Sequence, residues 1–274
     1  MSLRTKAALL TAASLSVLAL GACGSTPGDS AAQEEQSVLA TLVSDAKGSL
    51  QKVMDSATKA ETVSMKMNGK GEGETFQGEG VLDYGKDPKA EFTMQSGGET
   101  IKMLLLGPVM YIEVPEAERA EMQGKRWMKM DLSAAGDQAG AAFTKQLDDI
   151  DPVKQVKTLL AADQVTVVGE ETIDGVKTVH YTVTIPLATH LEQIDADLRA
   201  ITEKELTKQG VKDIKTDIWV DQKYQPRRVH VVMGTGTDVT VDYTDYGKPV
   251  NVQAPPAAEV FDLAEMLEGL KTGG

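Results

Sequence analysis

Phe76-Gln77-Gly78-Glu79-Gly80-Val81-Leu82-Asp83-Tyr84 decides the fold. Successive side chains in a strand point to opposite faces. Phe76, Gly78, Gly80 and Leu82 therefore share one face, and Gln77 and Glu79 the other. Glycine inside a strand marks a bend or a close backbone approach, so a sheet built around this segment curls strongly.

The same alternation runs outward in both directions. Val63, Met65 and Met67 form one face of a strand that is expected to end at the turn signal Asn68-Gly69. Residues 90–95, 100–106, 109–114 and 126–132 follow as further strands, with connections too short for parallel crossovers. Strands return over 164–173 and 176–187, joined by the hairpin signal Asp174-Gly175, and again over 212–220, 227–233 and 238–246. Apolar residues at helical spacing predict amphipathic helices over 37–59, 138–147, 151–162 and 189–209, and a short one near 259–267. Ser37 is the expected cap of the first, with Gly48 a weak point inside it. The class is α+β: a single strongly curled antiparallel sheet of about eleven strands, a half-barrel wrapped around amphipathic helices.

The amino terminus carries a different signal. Arg4 and Lys6 precede an uncharged stretch from Ala7 to Leu20, and Leu20-Gly21-Ala22-Cys23 follows. A basic start, an apolar middle and small residues at a cut site make a secretory signal. Leu-Gly-Ala-Cys resembles the bacterial lipobox, which implies a diacylglyceryl group on Cys23 and cleavage before it. The alternative, an uncleaved span, needs about 20 apolar residues, more than this stretch holds. The expected organisation is a lipoprotein signal peptide over 1–22, a lipidated flexible tether over 23–36 and one domain over 37–274. The protein would then be extracytoplasmic, lipid-anchored to the cell membrane through acylated, palmitate-type chains on Cys23.

Composition narrows the chemistry. Without residues 1–22 the chain has 26 Lys plus Arg against 41 Asp plus Glu, a net charge of −15. Such a chain repels phosphate backbones, so no nucleic-acid partner is expected. Cys23 is the single cysteine, which leaves no thiol for a disulfide, a nucleophile or a metal site once it is acylated. Eight of the 12 methionines fall between Met65 and Met130. Methionine fills irregular cores and equally suits surfaces that adapt to varied apolar ligands.

No catalytic constellation emerges, so no enzyme, cofactor or metal is expected. His180 and His230 alternate away from apolar neighbours and read as exposed surface residues, and His190 lies near a helix start. Asp148-Asp149-Ile150-Asp151 lacks the glycine and distal glutamate of a calcium loop. Gly69, Gly71 and Gly73 precede no Gly-Lys-Ser/Thr and are no phosphate loop. Arg227-Arg228 reads as a solvated strand end, with an acidic headgroup as the alternative partner.

The order of lipobox, tether, helix, meander and glycine-turn hairpin, then Ile218-Trp219-Val220-Asp221 leading to Pro226-Arg227-Arg228, resembles the actinobacterial LppX/LprG-type lipoproteins. Val168-Gly169-Glu170 with Asp174-Gly175-Val176, and Tyr243-Thr244-Asp245-Tyr246-Gly247-Lys248-Pro249-Val250, are similar to that family's paired strands and closing strand. The resemblance implies the half-barrel of the LolA/LolB-like carriers and an apolar cavity for a lipid or lipoglycan ligand. Strand alternation places Met65, Met67, Leu82, Phe92, Met94, Met103, Leu105 and Ile112 on its wall. Two functions are compatible: a lipid-binding carrier involved in lipid transport, or a non-catalytic surface interaction or sensor module of the cell envelope. Oligomeric state has no signature in the sequence.

Overall fold

A computed structural model describes residues 27–71, 73–132, 156, 159–160, 162, 164–192 and 196–263. Its strands are β1 (Thr62–Gly71), β2 (Glu74–Asp83), β3 (Lys89–Ser96), β4 (Glu99–Leu106), β5 (Val109–Glu113) and β6 (Trp127–Asp131), then β7 (Thr166–Ile173) and β8 (Val176–Pro186). β9 (Asp213–Asp221), β10 (Pro226–Met233), β11 (Thr237–Thr244) and β12 (Val260–Asp262) complete one 12-stranded sheet of order β12-β6-β5-β4-β3-β2-β1-β11-β10-β9-β8-β7. Every pairing is antiparallel except β12 with β6. The sheet does not close; β7 and β12 are its edges.

Two meanders, β1–β6 and β7–β11, meet where β1 pairs with β11, from Ser64 opposite Thr244 to Lys70 opposite Asp238. Inward residues fall in rows across the strands. Tyr243, Met65, Gly80, Phe92, Met103 and Ile112 are successive partners in one row; Val241, Met67, Gly78 and Met94 form the next. The other face carries charge: Arg228 grips Asp242 through Nε and Nη2, and Lys102 meets Glu91 at 2.6 Å. With charge on one side, the apolar rows have only the helices to face.

Those helices are α1 (Pro27–Ser44) and α2 (Ala46–Ala60), with α3 (Leu187–Glu192) and α4 (Ala196–Lys208) at the β8–β9 connection. α1 buries Leu39 and Leu42, and the Tyr181 hydroxyl on β8 donates to the Leu42 carbonyl at 2.8 Å. α2 buries Leu50, Val53 and Ala57, while the Tyr84 hydroxyl donates to the Ala57 carbonyl at 2.7 Å. Val156 and Leu159 join the same core, together with Val179, Val183 and Ile185.

Several expectations need correction. Residues 27–36, expected as tether, are helical in α1. The helix over 37–59 is two helices, because Asp45 leaves helical geometry (φ −133°, ψ 75°) and its carboxylate accepts the Gly48 N–H at 3.0 Å. Ser37 lies inside α1, and a Cβ on Gly48 would meet Asp45 Oδ2 at 2.1 Å, so a side chain there would displace the capping carboxylate. Asn68-Gly69 is not a turn but part of β1. A Cβ on Gly69 would meet the Asp238 carbonyl oxygen at 2.5 Å, so this glycine admits β11. The helix over 189–209 divides into α3 and α4; of the short helix expected near 259–267, residues 260–262 form a strand beside β6, Leu263 is helical, and 264–267 lie outside the described residues. Residues 138–147, the acidic run 148–151 and Cys23 lie outside the described residues, as does most of the 151–162 helix.

Gly80 is the tightest point of the curl: a Cβ there would lie 2.3 Å from both the Glu91 carbonyl oxygen and Phe92 Cδ1. Gly78, whose Cβ would stand 3.4 Å from Met94 Cγ, has room. Gly80→Ala is therefore expected to cost about 1–3 kcal/mol through overpacking. Gly78→Ala should change stability by less than about 1 kcal/mol. Urea unfolding of the two variants beside the wild type checks this, and equal effects would contradict the assigned crowding.

Candidate functional site

The candidate site is the inner face of β1–β5. Met65, Leu82, Phe92 and Leu105 are buried in the main core, and Met67, Met103 and Ile112 pack half-buried against it. Met94 lies half-buried over Gly78. All eight residues named from alternation share this face, with Phe92 opposite Met103 and Met103 opposite Ile112. Met110 and Met130 are paired beside them and add thioethers to the same surface. Toward the β3–β4 turn the face opens: Ile101, opposite Met94, is 41% exposed.

Two clefts lie apart from these residues. One, of about 530 Å³, lies between α2 and the β9–β10 turn, with Lys52, Ser56, Lys59, Tyr224 and Tyr246 in its wall. The Lys52 ammonium sits 5.0 Å from the Tyr224 ring centroid. The other, of about 610 Å³, runs along the ends of β1–β4 past Asn68, Phe76, Gln77, Gln95 and Thr100. None of the eight wall residues lines either cleft. Among the described residues, no group of three His, Cys, Asp or Glu side chains could hold a metal ion, and no helix is long and apolar enough to cross a membrane.

On the outer face the histidines behave differently from the expectation. The His180 side chain is 12% exposed and stacks on Trp219, with ring centroids 4.1 Å apart and planes at 17°. His180 Nδ1 is 2.9 Å from Glu171 Oε1, and Nε2 is 3.0 Å from Asp217 Oδ1. Glu171 also accepts the Trp219 indole N–H at 2.7 Å, and Asp217 pairs with Lys215 at 2.9 Å. His230 lies 2.8 Å from Asp238 and 3.7 Å from Asp217. His180 is thus no exposed surface residue: flanking strands surround a polar ring with acceptors. Trp219, alternating between Asp217 and Asp221 on an otherwise polar face, was the sequence signal for this cluster. Arg227-Arg228 is likewise not free, since Arg228 holds Asp242 and Arg227 approaches Asp221 at 3.9 Å.

Hydrogen bonds from Trp219 and His180 hold the Glu171 carboxyl below its ordinary value. Burial pushes Asp217 the other way, but bonds from Lys215 and His180 outweigh it and leave this carboxyl lowered too. Asp221 is raised by burial, despite accepting the Lys223 and Gln225 N–H groups.

An open antiparallel sheet curled over helices, apolar inside and charged outside, is the architecture of a lipoprotein half-barrel. The Mycobacterium tuberculosis lipoprotein LppX has this fold: its crystal structure aligns with a TM-score of 0.52 at 15% identity, covering 76% of this chain and 97% of that one. Residues 120–252 match the model of the LppX_LprAFG lipoprotein family. A protein of Streptomyces coelicolor named as a lipoprotein is 30% identical over 194 residues, 68% of this chain and 60% of its own length. An uncharacterised 31.2 kDa protein of Streptomyces griseus, from the rplA-rplJ intergenic region, is 29% identical over 234 residues, 81% of this chain and 76% of its own length. Over residues 120–252 the chain carries the segment that defines the LppX_LprAFG lipoprotein family, on a sheet with the LppX fold.

Because folded Glu171 and Asp217 have lowered pKa values, their contribution to stability is fully present above their unfolded values of about 4. It is lost as pH falls through the lowered folded values. Urea unfolding at stepped pH should show a smaller acid-side loss of stability for Glu171→Gln than for the wild type. Identical pH dependence would mean that Glu171 is not bonded as described.

Proposed function

We propose that this protein is a membrane-anchored, non-catalytic lipoprotein that carries lipids by their acyl chains against the inner face of β1–β5. The observation that carries the reading is the continuous apolar row from Met65 through Phe92 and Met103 to Ile112, rich in thioethers and opening toward Ile101. Flexible, polarizable methionine accommodates chains of varied length and branching better than a rigid aliphatic wall does. The match to that family supports the same reading. Anchoring follows from the lipobox: residues 1–22 direct export, and acylated Cys23 holds the domain, beginning within α1, at the outer side of the cell membrane. Two or more acyl chains make such an anchor stable, whereas one holds only marginally.

A second reading has one observation in its favour. Met65, Leu82, Phe92 and Leu105 are already buried by neighbouring side chains, as in a filled core. A filled core suits an envelope interaction or sensor module that uses the outer face.

Changing Cys23 to Ala removes the acylated thiol. The variant should leave the detergent phase in which the wild type is recovered; equal partitioning would rule out the anchor. For the ligand, the soluble Cys23→Ala protein is purified from its native host and its organic extract analysed by mass spectrometry. Met103→Trp in that background should lower lipid recovery several-fold while circular dichroism and the unfolding midpoint stay near the parent's. No co-purifying lipid from the parent would favour the interaction module.

A further inference from the structure

The outer-face cluster has no part in lipid carriage, and its hydrogen bonds do not balance for a neutral histidine. Both His180 ring nitrogens lie at hydrogen-bond distance from carboxylate oxygens, Glu171 Oε1 on β7 and Asp217 Oδ1 on β9. An ionised carboxylate only accepts, and a neutral imidazole has one N–H to donate. Both bonds therefore exist together only when both ring nitrogens carry a proton. The other groups facing the ring act on the same two carboxylates or beside them: Trp219 donates to Glu171, Lys215 pairs with Asp217, His230 lies 2.8 Å from Asp238 and 3.7 Å from Asp217, and Arg228 pairs with Asp242.

The bond to Glu171 matters because of where it falls. β7 is an edge strand and, among the described residues, pairs only with β8. Its pairing with β8 is interrupted by a bulge, the register shifting between Val167 and Gly169, and Val168 is 53% exposed there. A bulge leaves a residue unpaired and locally disrupts the ladder. The opposite face of the same strand holds Val167, packed against the main core. Beyond its ladder with β8, the strand is tied at Glu171, whose carboxylate reaches His180 and Trp219 and whose carbonyl accepts the Thr178 hydroxyl at 3.0 Å.

We infer that His180 is a proton-dependent clamp on the sheet edge: as the imidazolium it ties β7 to β8 and β9, and on losing its proton it releases one tie and loosens β7. The direction is fixed by charge. A cation between two carboxylates stabilises the closed edge on the acidic side of its titration, and the tie weakens as pH rises through that titration. Loosening β7 uncovers one flank of the core beside Val167. This inference does not rest on lipid binding and stands or falls separately from it.

Native-state hydrogen exchange of the full chain in detergent tests the clamp from about pH 5 to about pH 8, the range in which histidine changes charge. After correction for intrinsic exchange, protection of the Gly169–Ile173 amides should fall about tenfold or more, the size expected for losing a charged hydrogen bond. Amides of β1 and β2 should hold steady. Imidazole ¹⁵N spectra should show both His180 nitrogens protonated at the acidic end. His180→Phe, which can keep the stack on Trp219 without its donors, should leave β7 poorly protected at every pH; His230→Phe should preserve the wild-type profile. Unchanged β7 protection across the range would overturn the inference. So would a single protonated nitrogen at the acidic end, a wild-type profile in His180→Phe, or a lost profile in His230→Phe. The β7 exchange profile of the wild type decides the matter even if His180→Phe fails to fold.

Discussion

The pairing of β1 with β11 is the interaction on which the rest of the structure depends. It joins the first strand of the chain to one of the last, across nearly the whole domain, and turns two separate meanders into one sheet. Met67 stands opposite Val241 and Met65 opposite Tyr243, so the apolar rows of the two halves become continuous only through this seam. Gly69 is part of the same constraint, because any side chain there would strike the β11 backbone. Without the seam, α2 would have half a floor, and the tyrosine ties at Tyr84 and Tyr181 would belong to different bodies.

Curl and polarity then follow from local rules. Gly80 lets the Phe92 ring and the β3 backbone close on β2, which tightens the sheet where it wraps the helices. Oppositely charged pairs across the outer face, Arg228 with Asp242 and Lys102 with Glu91, keep that side in water. Both pairs are partly buried, and Arg228 meets Asp242 through two nitrogens, so they orient the outer face as well as joining neighbouring strands. Stability comes from the inner face, where Leu42, Leu50, Val53 and Tyr181 are fully enclosed.

Strand alternation made most of this legible. Every strand through β11 lies close to where the pattern puts it, and the inner-face assignment of Met65, Phe92 and Met103 needs nothing more than period two. What escaped had mainly non-local causes. Asn68-Gly69 looks like a turn until β11 arrives from 170 residues further along the chain to explain the glycine. The Asp45 break was masked by Val43 and Ala46, which continue the helical spacing across it; only the Asp45–Gly48 cap betrays it. Residues 260–262 became strand because β6 offered a free edge to Val260 and Phe261, two residues that suit a strand. The His180 cluster draws on β7, β8 and β9 with His230 from β10 beside it, and no sequence spacing encodes such a gathering.

The thioether-rich inner face also has a redox chemistry. Oxidation converts methionine from an apolar side chain to a polar, chiral sulfoxide, and exposed sulfurs react first. Met67, Met94 and Met103 are only half-buried, whereas Met65 is sealed. Oxidants would therefore reach the open flank of the wall before its floor, turning greasy surface into hydrogen-bonding surface one sulfur at a time. An envelope protein built this way carries a record of oxidative exposure in the very residues that give it an apolar interior.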